Sequence, residues 1–525
     1  MSDRFETNAR TVTLLTLVSR VTGLARDAAL ARLFGISAIM DAFWFAFMVP
    51  NLFRRLFGEG ALSAAFLPEY TRLDRDDPAM ARRLATLTIG GMALALGGVT
   101  IVGEILLWAL STRHEHGHDA LRLMMVMLPY MPLVCLVAIM GAMLQVHGRF
   151  GPTAAAPIVL NLFLVGAAMG YALLRPDDTG GRGHVMIVSI SVLLAGVAQV
   201  TWSLAALRRW KWWVGSWAQA REAMASMRRV LGQAWPMFIG LGVLQVNVFL
   251  DDLIASYPTT VGPTIFGIDF PLQEGALTAV NNAQRLYEFP LGVFGIAVAT
   301  AIFPALARVN HDAARFADIL RRGLRLVMFI GLPASAGLML VREPLTAVIY
   351  QGAQFTAEDT RRVAFVLMGY APAIWAYSMT HTLTRAFYAR GDSMTPVKVA
   401  IGMVGLNLAL NLSLIFTPLR EAGLAWSTAI CSIVQVLILL RLTRRYAAHV
   451  IDRCVLTSWA RTAGATAVMA GAVWSVSLLL PAGPHGWGVT ALHLLVLVGV
   501  GGAVVAGLAR VMGMAELGWA MGRAA

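Results

Sequence analysis

The stretch Thr11 to Phe34 reads TVTLLTLVSRVTGLARDAALARLF, a membrane-length apolar run that carries Arg20, Arg26, Asp27 and Arg32. An ionised side chain near the bilayer centre costs about 2.5–3.5 kcal/mol on insertion scales, so such groups face a watery cavity, a partner charge or a substrate. At 100° per residue Arg20, Gly23 and Asp27 share one helix face and Arg26 points elsewhere. A second run, Ile39 to Tyr70, places Asp41 near one end and Arg54, Arg55 and Glu59 beyond Pro50, with Gly58 and Gly60 flanking the glutamate. A third, Ala276 to Ala307, carries Arg285 and Glu288 at an i,i+3 spacing that permits contact. Arg20, Arg26, Arg54 and Arg285 thus form a candidate anion-binding set, since guanidinium suits bidentate phosphate recognition. Asp27, Asp41, Glu59 and Glu288 are the cavity carboxylates able to exchange partners with them. Arg32 fits better as a side chain snorkelling to a headgroup, and Arg55 fits either role.

Other polar groups are weaker candidates. Asp251, Asn407, Asn411 and Thr428 could line an oxygen-rich site for a monovalent coupling ion, and capping near the external surface explains Asp251 equally well. His114, Glu115, His116 and His118 crowd one short loop that reads as solvated rather than metal-binding. Neither Lys211 nor Lys398 follows a glycine, so no GxxxxGK[ST] phosphate loop exists. GxSxG and HExxH are absent too, and Cys135, Cys431 and Cys454 stand isolated. No enzyme chemistry, cofactor or metal is expected.

The elements that position these groups follow from composition. With 58% hydrophobic and 14% charged residues in 525, the chain reads as an all-α polytopic membrane protein. Marking apolar runs gives about fourteen transmembrane helices. The start, MSDRFETNARTVTLL, has acidic residues where a signal peptide has none, so the first helix is expected to be retained. Net charge of +13 comes from arginines beside apolar spans, which argues for membrane topology and against nucleic acid. Arginine clusters at 72–83, 208–229, 308–325 and 441–453 fall on one side if the spans alternate, which makes that side cytoplasmic and both termini cytoplasmic.

The halves echo each other at an offset of about 240 residues. DAFWFAFMVPNLF from Asp41 aligns with NNAQRLYEFPLGV from Asn281, matching Pro50 to Pro290, and LQVHGRFGPT from Leu144 echoes FYARGDSMTP from Phe387. An even number of helices per unit implies parallel repeats related by a pseudo-two-fold axis along the membrane normal. The expected organisation is a six-helix lobe at 1–207, a basic, Trp-rich amphipathic connector at 208–229, a second six-helix lobe at 230–447, and two extra helices at 448–525.

SRVTGLARDAALARLFG, DAFWFAFMVPNLFRRLFGEGALSAAFLPEY, AQRLYEFPLGVFGIAVATAIFPALAR and FYARGDSMTPVKVA together resemble the MurJ (MviN) flippases of bacterial peptidoglycan synthesis. The resemblance spans nearly the whole chain in order. It implies a MATE-like fold of two six-helix lobes around a central cavity, in the bacterial inner membrane. It further implies transport of lipid II, an undecaprenyl-pyrophosphate-linked disaccharide-pentapeptide, from the cytoplasmic to the periplasmic leaflet without ATP. By motif, the family's cavity arginines fall on Arg20, Arg26, Arg54 and Arg285, and its acidic positions on Asp27, Asp41, Glu59 and Glu288. Met48 stands where relatives often have lysine, and the external segment Pro258–Gly275 looks longer than in similar sequences. The partners implied are lipid II, membrane lipids and the cell-wall synthesis and division machinery. The alternatives are a flippase for another polyprenyl-pyrophosphate oligosaccharide, a cation-coupled multidrug exporter of the same fold, which several buried arginines disfavour, and a non-transporting scaffold.

Overall fold

The computed structural model describes every residue except 1, 59–60, 113–116, 293–295, 448–449, 482–485 and 523–525. Its helices are α1 (Ser2–Phe34), α2 (Ala38–Phe53), α3 (Ala61–Asp76), α4 (Pro78–Ser111), α5 (His118–Met127), α6 (Tyr130–Val146), α7 (Gly151–Leu174), α8 (Arg182–Leu207), α9 (Trp217–Arg221) and α10 (Met224–Thr260). A two-residue hairpin, β1 (Thr264–Ile265) paired antiparallel to β2 (Ile268–Asp269), precedes α11 (Ala276–Pro290) and α12 (Ile296–Arg308). Then follow α13 (Ala313–Tyr350), α14 (Ala357–Tyr370), α15 (Ala373–Ala389), α16 (Met394–Leu414), α17 (Ala422–Thr443), α18 (Arg453–Leu479), α19 (Trp487–Val511) and α20 (Ala515–Ala520). Among the described residues ten helical stretches are long and apolar enough to cross a membrane. The stretches holding Arg20 and Arg26, Arg54, Asp251, and Arg285 are not among those ten.

Local chemistry sets the boundaries. Ser37 caps α2 by accepting from Met40 N, and Asp77 caps α4 with Pro78 in its first turn. Thr356 and Asp359 form a reciprocal capping box at α14. The two echoed exits LQVHGRF and FYARGDS fold alike. Gly148 and Gly391 both adopt left-handed backbone, at φ 72° and 77°. Arg149 N donates to Leu144 O and Gly148 N to Gln145 O, while Asp392 N donates to Phe387 O and Gly391 N to Tyr388 O. This is the same glycine-terminated helix end in both halves.

The chain divides into two compact units, Met1–Thr278 with Ala353–Phe355, and Ala279–Gly352 with Thr356–Ala525. The core of the first includes Phe43, Phe66, Tyr130, Met140 and Leu144. That of the second centres on Phe316, Leu320, Met379, Leu383 and Leu439. Here α18 and α19 pack on α13 through Val341, Met469, Val473 and Leu497. The helix α10, read from sequence as the opening of the second lobe, packs with the first unit instead. The reason lies in three contacts: Arg55 donates to Gln245, Phe57 meets Phe238 at 4.9 Å between ring centres, and Thr259 donates to Asp41.

The connector differs from the amphipathic helix expected. Only Arg208–Trp210, a 3₁₀ turn, and α9 are helical before α10, because Lys211 takes left-handed backbone and the chain then extends. Trp210 stacks on His147 at 4.6 Å with Arg149 over its ring at 5.4 Å. Burial there pushes the His147 imidazole below its ordinary pKa, against the opposing pull of Asp74.

Apolar burial alone does not hold helices together where lipid replaces water, so close approach at small residues matters. A Cβ at Gly331 on α13 would sit 2.9 Å from the Trp375 backbone on α15, whereas one at Gly97 on α4 would meet nothing within 4 Å. Gly331→Ala is therefore expected to cost about 1–3 kcal/mol, and Gly97→Ala nothing or a slight gain. Thermal unfolding of the two purified variants in one detergent measures the difference.

Candidate substrate site

In the first unit the arginines sit on α1 and at the break after α2. Arg26 and Asp27 are adjacent in sequence and still pair: Arg26 Nε and Nη2 donate to Asp27 Oδ1 at 2.8 and 2.6 Å, with side chains 10% and 4% exposed. Arg26 Nη1 donates to Asn161 Oδ1 on α7 at 3.0 Å. Asn161 in turn donates to Thr22 Oγ1 and Ser19 O, so its orientation is fixed by α1 itself. Burying a charge this deeply is tolerable only with such pairing. Arg20 lies one and a half turns away, exposed, and takes no part in this network.

Pro50 removes an N–H from α2, and the helix widens into a π-helical turn, Arg54–Gly58. Residues 291–292, directly after Pro290, also adopt this wide geometry. Two carbonyls at the first break find side-chain donors, Phe53 O from Cys135 Sγ at 3.7 Å and Phe57 O from Ser63 Oγ at 3.2 Å. Arg54 opens this turn, its Nε and Nη2 on the Asn51 amide oxygen at 3.1 and 3.0 Å. The buried Tyr130 hydroxyl lies in the fields of both Arg54 and Arg26. These two guanidiniums therefore share one region of the first unit. Glu59 lies outside the described residues.

Asp41 is the most enclosed of the predicted carboxylates, at 0% exposure. Its Oδ1 accepts from Thr278 N at 2.8 Å and Thr278 Oγ1 at 2.6 Å, and its Oδ2 from Gly275 N at 2.7 Å and Thr259 Oγ1 at 3.1 Å. The carboxylate thus caps the N-terminus of α11, where backbone N–H groups and the helix dipole favour negative charge.

In the second unit Arg285 Nη1 donates to Glu288 Oε2 at 3.2 Å, both about one-third exposed. Between them Tyr287 stacks on Tyr370 at 4.8 Å. The neutral members of the proposed ion site are largely engaged with one another: Asn411 Nδ2 donates to Asn407 Oδ1 at 2.9 Å, Asn407 Nδ2 to Ser427 Oγ at 3.2 Å, and Thr428 Oγ1 to Leu424 O at 3.0 Å. Asp251 belongs to the first unit, where it is buried on α10. Among the described residues no group of three His, Cys, Asp or Glu side chains is placed to hold a metal ion.

Sequence reasoning missed several polar partners. Asn51 and Asn161 accept from Arg54 and Arg26, and neutral amides carry no charge anomaly to mark them. His381 and Arg385, four residues apart on α15, are a further polar pair in the second unit, with Arg385 over the Phe303 ring at 5.5 Å. Their i,i+4 spacing in an apolar helix was the available signal.

The fold and the arginines it houses define a polytopic carrier of MATE-like architecture. A solved multidrug resistance MATE family transporter of the MOP superfamily, inward-facing, matches with TM-score 0.61 at 12% identity, over 84% of this chain and 98% of that one. A solved lipid II flippase MurJ in an inward closed conformation matches with TM-score 0.77 at 21% identity, over 95% and 98%. In sequence, the family model "Lipid II flippase MurJ" matches residues 30–497. A probable lipid II flippase MurJ of Vibrio cholerae serotype O1 is 30% identical over 520 residues, 93% of either chain, and a lipid II flippase MurJ of Burkholderia cenocepacia is 31% identical over 475 residues, 88% of either. The chain belongs to the MurJ family of lipid II flippases. It is a multi-pass membrane transporter rather than an enzyme.

Asp41 offers a direct test of the site's framework. Asp41→Ala strands the Gly275 and Thr278 N–H groups, and is expected to cost about 3 kcal/mol or more, from roughly 1–3 per buried unsatisfied donor. Asp41→Asn keeps an acceptor and is expected to lose about half as much. Unfolding midpoints of the purified proteins rank the two.

Proposed function

We propose that the chain carries lipid II from the cytoplasmic to the periplasmic leaflet of the bacterial inner membrane by alternating access, with both termini cytoplasmic. Arg20, Arg26, Arg54 and Arg285 are the ligands assigned to the pyrophosphate. The observation supporting this reading is that three of these guanidiniums rest on internal acceptors of graded strength, which a diphosphate would have to replace. The Arg285–Glu288 pair is partly exposed, and an i,i+3 pair of this kind is worth only about 0.2–0.5 kcal/mol. Arg54 rests on a neutral amide. Arg26 places two donors on a buried carboxylate oxygen, and breaking such a pair by loss of one partner costs about 3–5 kcal/mol. Arg54 and the partly exposed Arg285 are assigned to capture of the headgroup, and the buried Arg26 releases Asp27 only when the lobes rearrange. Glu288 and Asp27 reclaim their arginines as substrate departs, and Glu59 is assigned to the same exchange.

The membrane potential supplies the drive. Two negative charges moved outward across ~100 mV gain about 4.6 kcal/mol, from roughly 2.3 per charge. Asp251, buried on α10, is the carboxylate assigned to a monovalent ion that resets the empty carrier. Released lipid II passes to the cell-wall synthesis machinery.

In cells depleted of their own flippase, lipid II accessible to an externally added probe reports transport. Arg54→Gln is expected to lower it about tenfold or more, a contact to a charged group being worth roughly 1.5–3 kcal/mol, with unchanged membrane abundance. Export at the wild-type rate by Arg54→Gln would remove the arginine from the site. Collapsing the membrane potential with an ionophore is expected to reduce externally accessible lipid II in the same assay. An undiminished signal would rule out the potential as the drive.

A further inference from the structure

A charged cavity lies within the second unit, and none of the arginines assigned to transport lines it. It encloses about 390 Å³ between α13, the first turns of α18 and the turn that leads into α20, within the roughly 300–1,000 Å³ of small-ligand pockets. Arg453, Thr457 and Arg461 are spaced four residues apart on α18 and form one stripe along its wall. Arg325 enters from α13 and Glu516 from α20.

The charges are not evenly matched. Glu516, with its side chain 1% exposed, accepts from Arg325 Nε and from Ser458 Oγ, each at 2.6 Å. Trp519 covers the Arg325 guanidinium at 5.0 Å. Arg325 is thus neutralised and fixed. Arg453 and Arg461 are exposed and, among the described residues, pair with no carboxylate; Arg461 Nη1 reaches only the Met512 carbonyl at 3.4 Å. Two positive charges, about 12 Å apart along the helix axis, therefore line a cavity whose single carboxylate is already spent.

The surroundings point to the source of the matching anion. Both α18 and α19 are long and apolar enough to span a membrane, and Arg453 begins the first of them. Leu456 beside the cavity is 53% exposed, and Val511 at the end of α19 is 85% exposed. Apolar side chains left open next to unpaired arginines at a helix end suit an acyl chain below a phosphate, and basic pockets between transmembrane helices bind anionic headgroups. We propose that this cavity binds the phosphate of an anionic membrane lipid, gripped by Arg453 and Arg461; Thr457 lies between them on the same stripe, its hydroxyl donating to the Arg453 carbonyl at 2.7 Å. The Arg325–Glu516–Ser458 junction holds α13, α18 and α20 in place around it.

Native mass spectrometry of the full-length protein in mild detergent tests this, with phosphatidylglycerol, phosphatidylcholine and inorganic phosphate as separate probes. The wild type is expected to retain phosphatidylglycerol in preference to phosphatidylcholine, and millimolar inorganic phosphate is expected not to displace it. The double variant Arg453→Gln, Arg461→Gln is expected to bind phosphatidylglycerol about thirtyfold more weakly. Thr457→Glu, which adds an opposing charge without removing an arginine, is expected to weaken binding in the same direction and keeps the test open should the double variant misfold. Equal retention by folded variants and wild type would overturn the proposal. So would equal retention of the two lipids, or displacement by inorganic phosphate, which would make this a free-anion site.

Discussion

A guanidinium in a helix long enough to span a membrane must be answered by something, and the answer Arg26 receives organises the first unit. Its donors divide between Asp27 on the same helix and Asn161 on α7, and Asn161 turns back to Thr22 and Ser19. The loop of hydrogen bonds closes on itself and fixes how α1 lies along α7. Desolvating the pair is offset because every donor described has an acceptor, the condition under which buried ions persist. The same arrangement leaves the pair difficult to open.

The helix breaks serve the other arginines. Beyond Pro50 the helix widens into a π turn, and two carbonyls of this break, Phe53 and Phe57, accept from Cys135 and Ser63. Arg54 sits at the start of that turn, where the backbone is least regular and the side chain is displaced from the helical face it would otherwise occupy. A break of this kind provides position for the cation and a place for the helix to bend. Residues 291–292 repeat the geometry just beyond Arg285 and Glu288.

Much of this was legible in the residues. The cost of charge in hydrocarbon marks Arg26, Asp27, Arg54 and Asp41 from sequence alone, and the shared spacing of Gly148 with Gly391 marks helix ends that fold alike. Pairing was less legible. Helical geometry placed Arg26 and Asp27 on different faces, yet a long guanidinium side chain curls across 100° of arc to reach its neighbour's carboxylate. Asp41 read as a gating group, and its role as the cap of α11 depends on a contact more than 200 residues away in sequence, which no local pattern encodes. The placement of α10 with the first unit escaped for the same reason, being set by Gln245, Phe238 and Thr259 against residues of α2 and the π turn.

The two halves also show where duplication stops. Asn161 and Asn407 follow equivalent glycine-terminated exits, and both are buried. Asn161 spends its amide on Arg26 and α1, whereas Asn407 spends its own on Ser427 and Asn411. The backbone plan is repeated, but the first copy pairs its asparagine with a charge and the second with neutral side chains. A shared scaffold fixes where a polar group can be buried, and the neighbour it finds there decides its work.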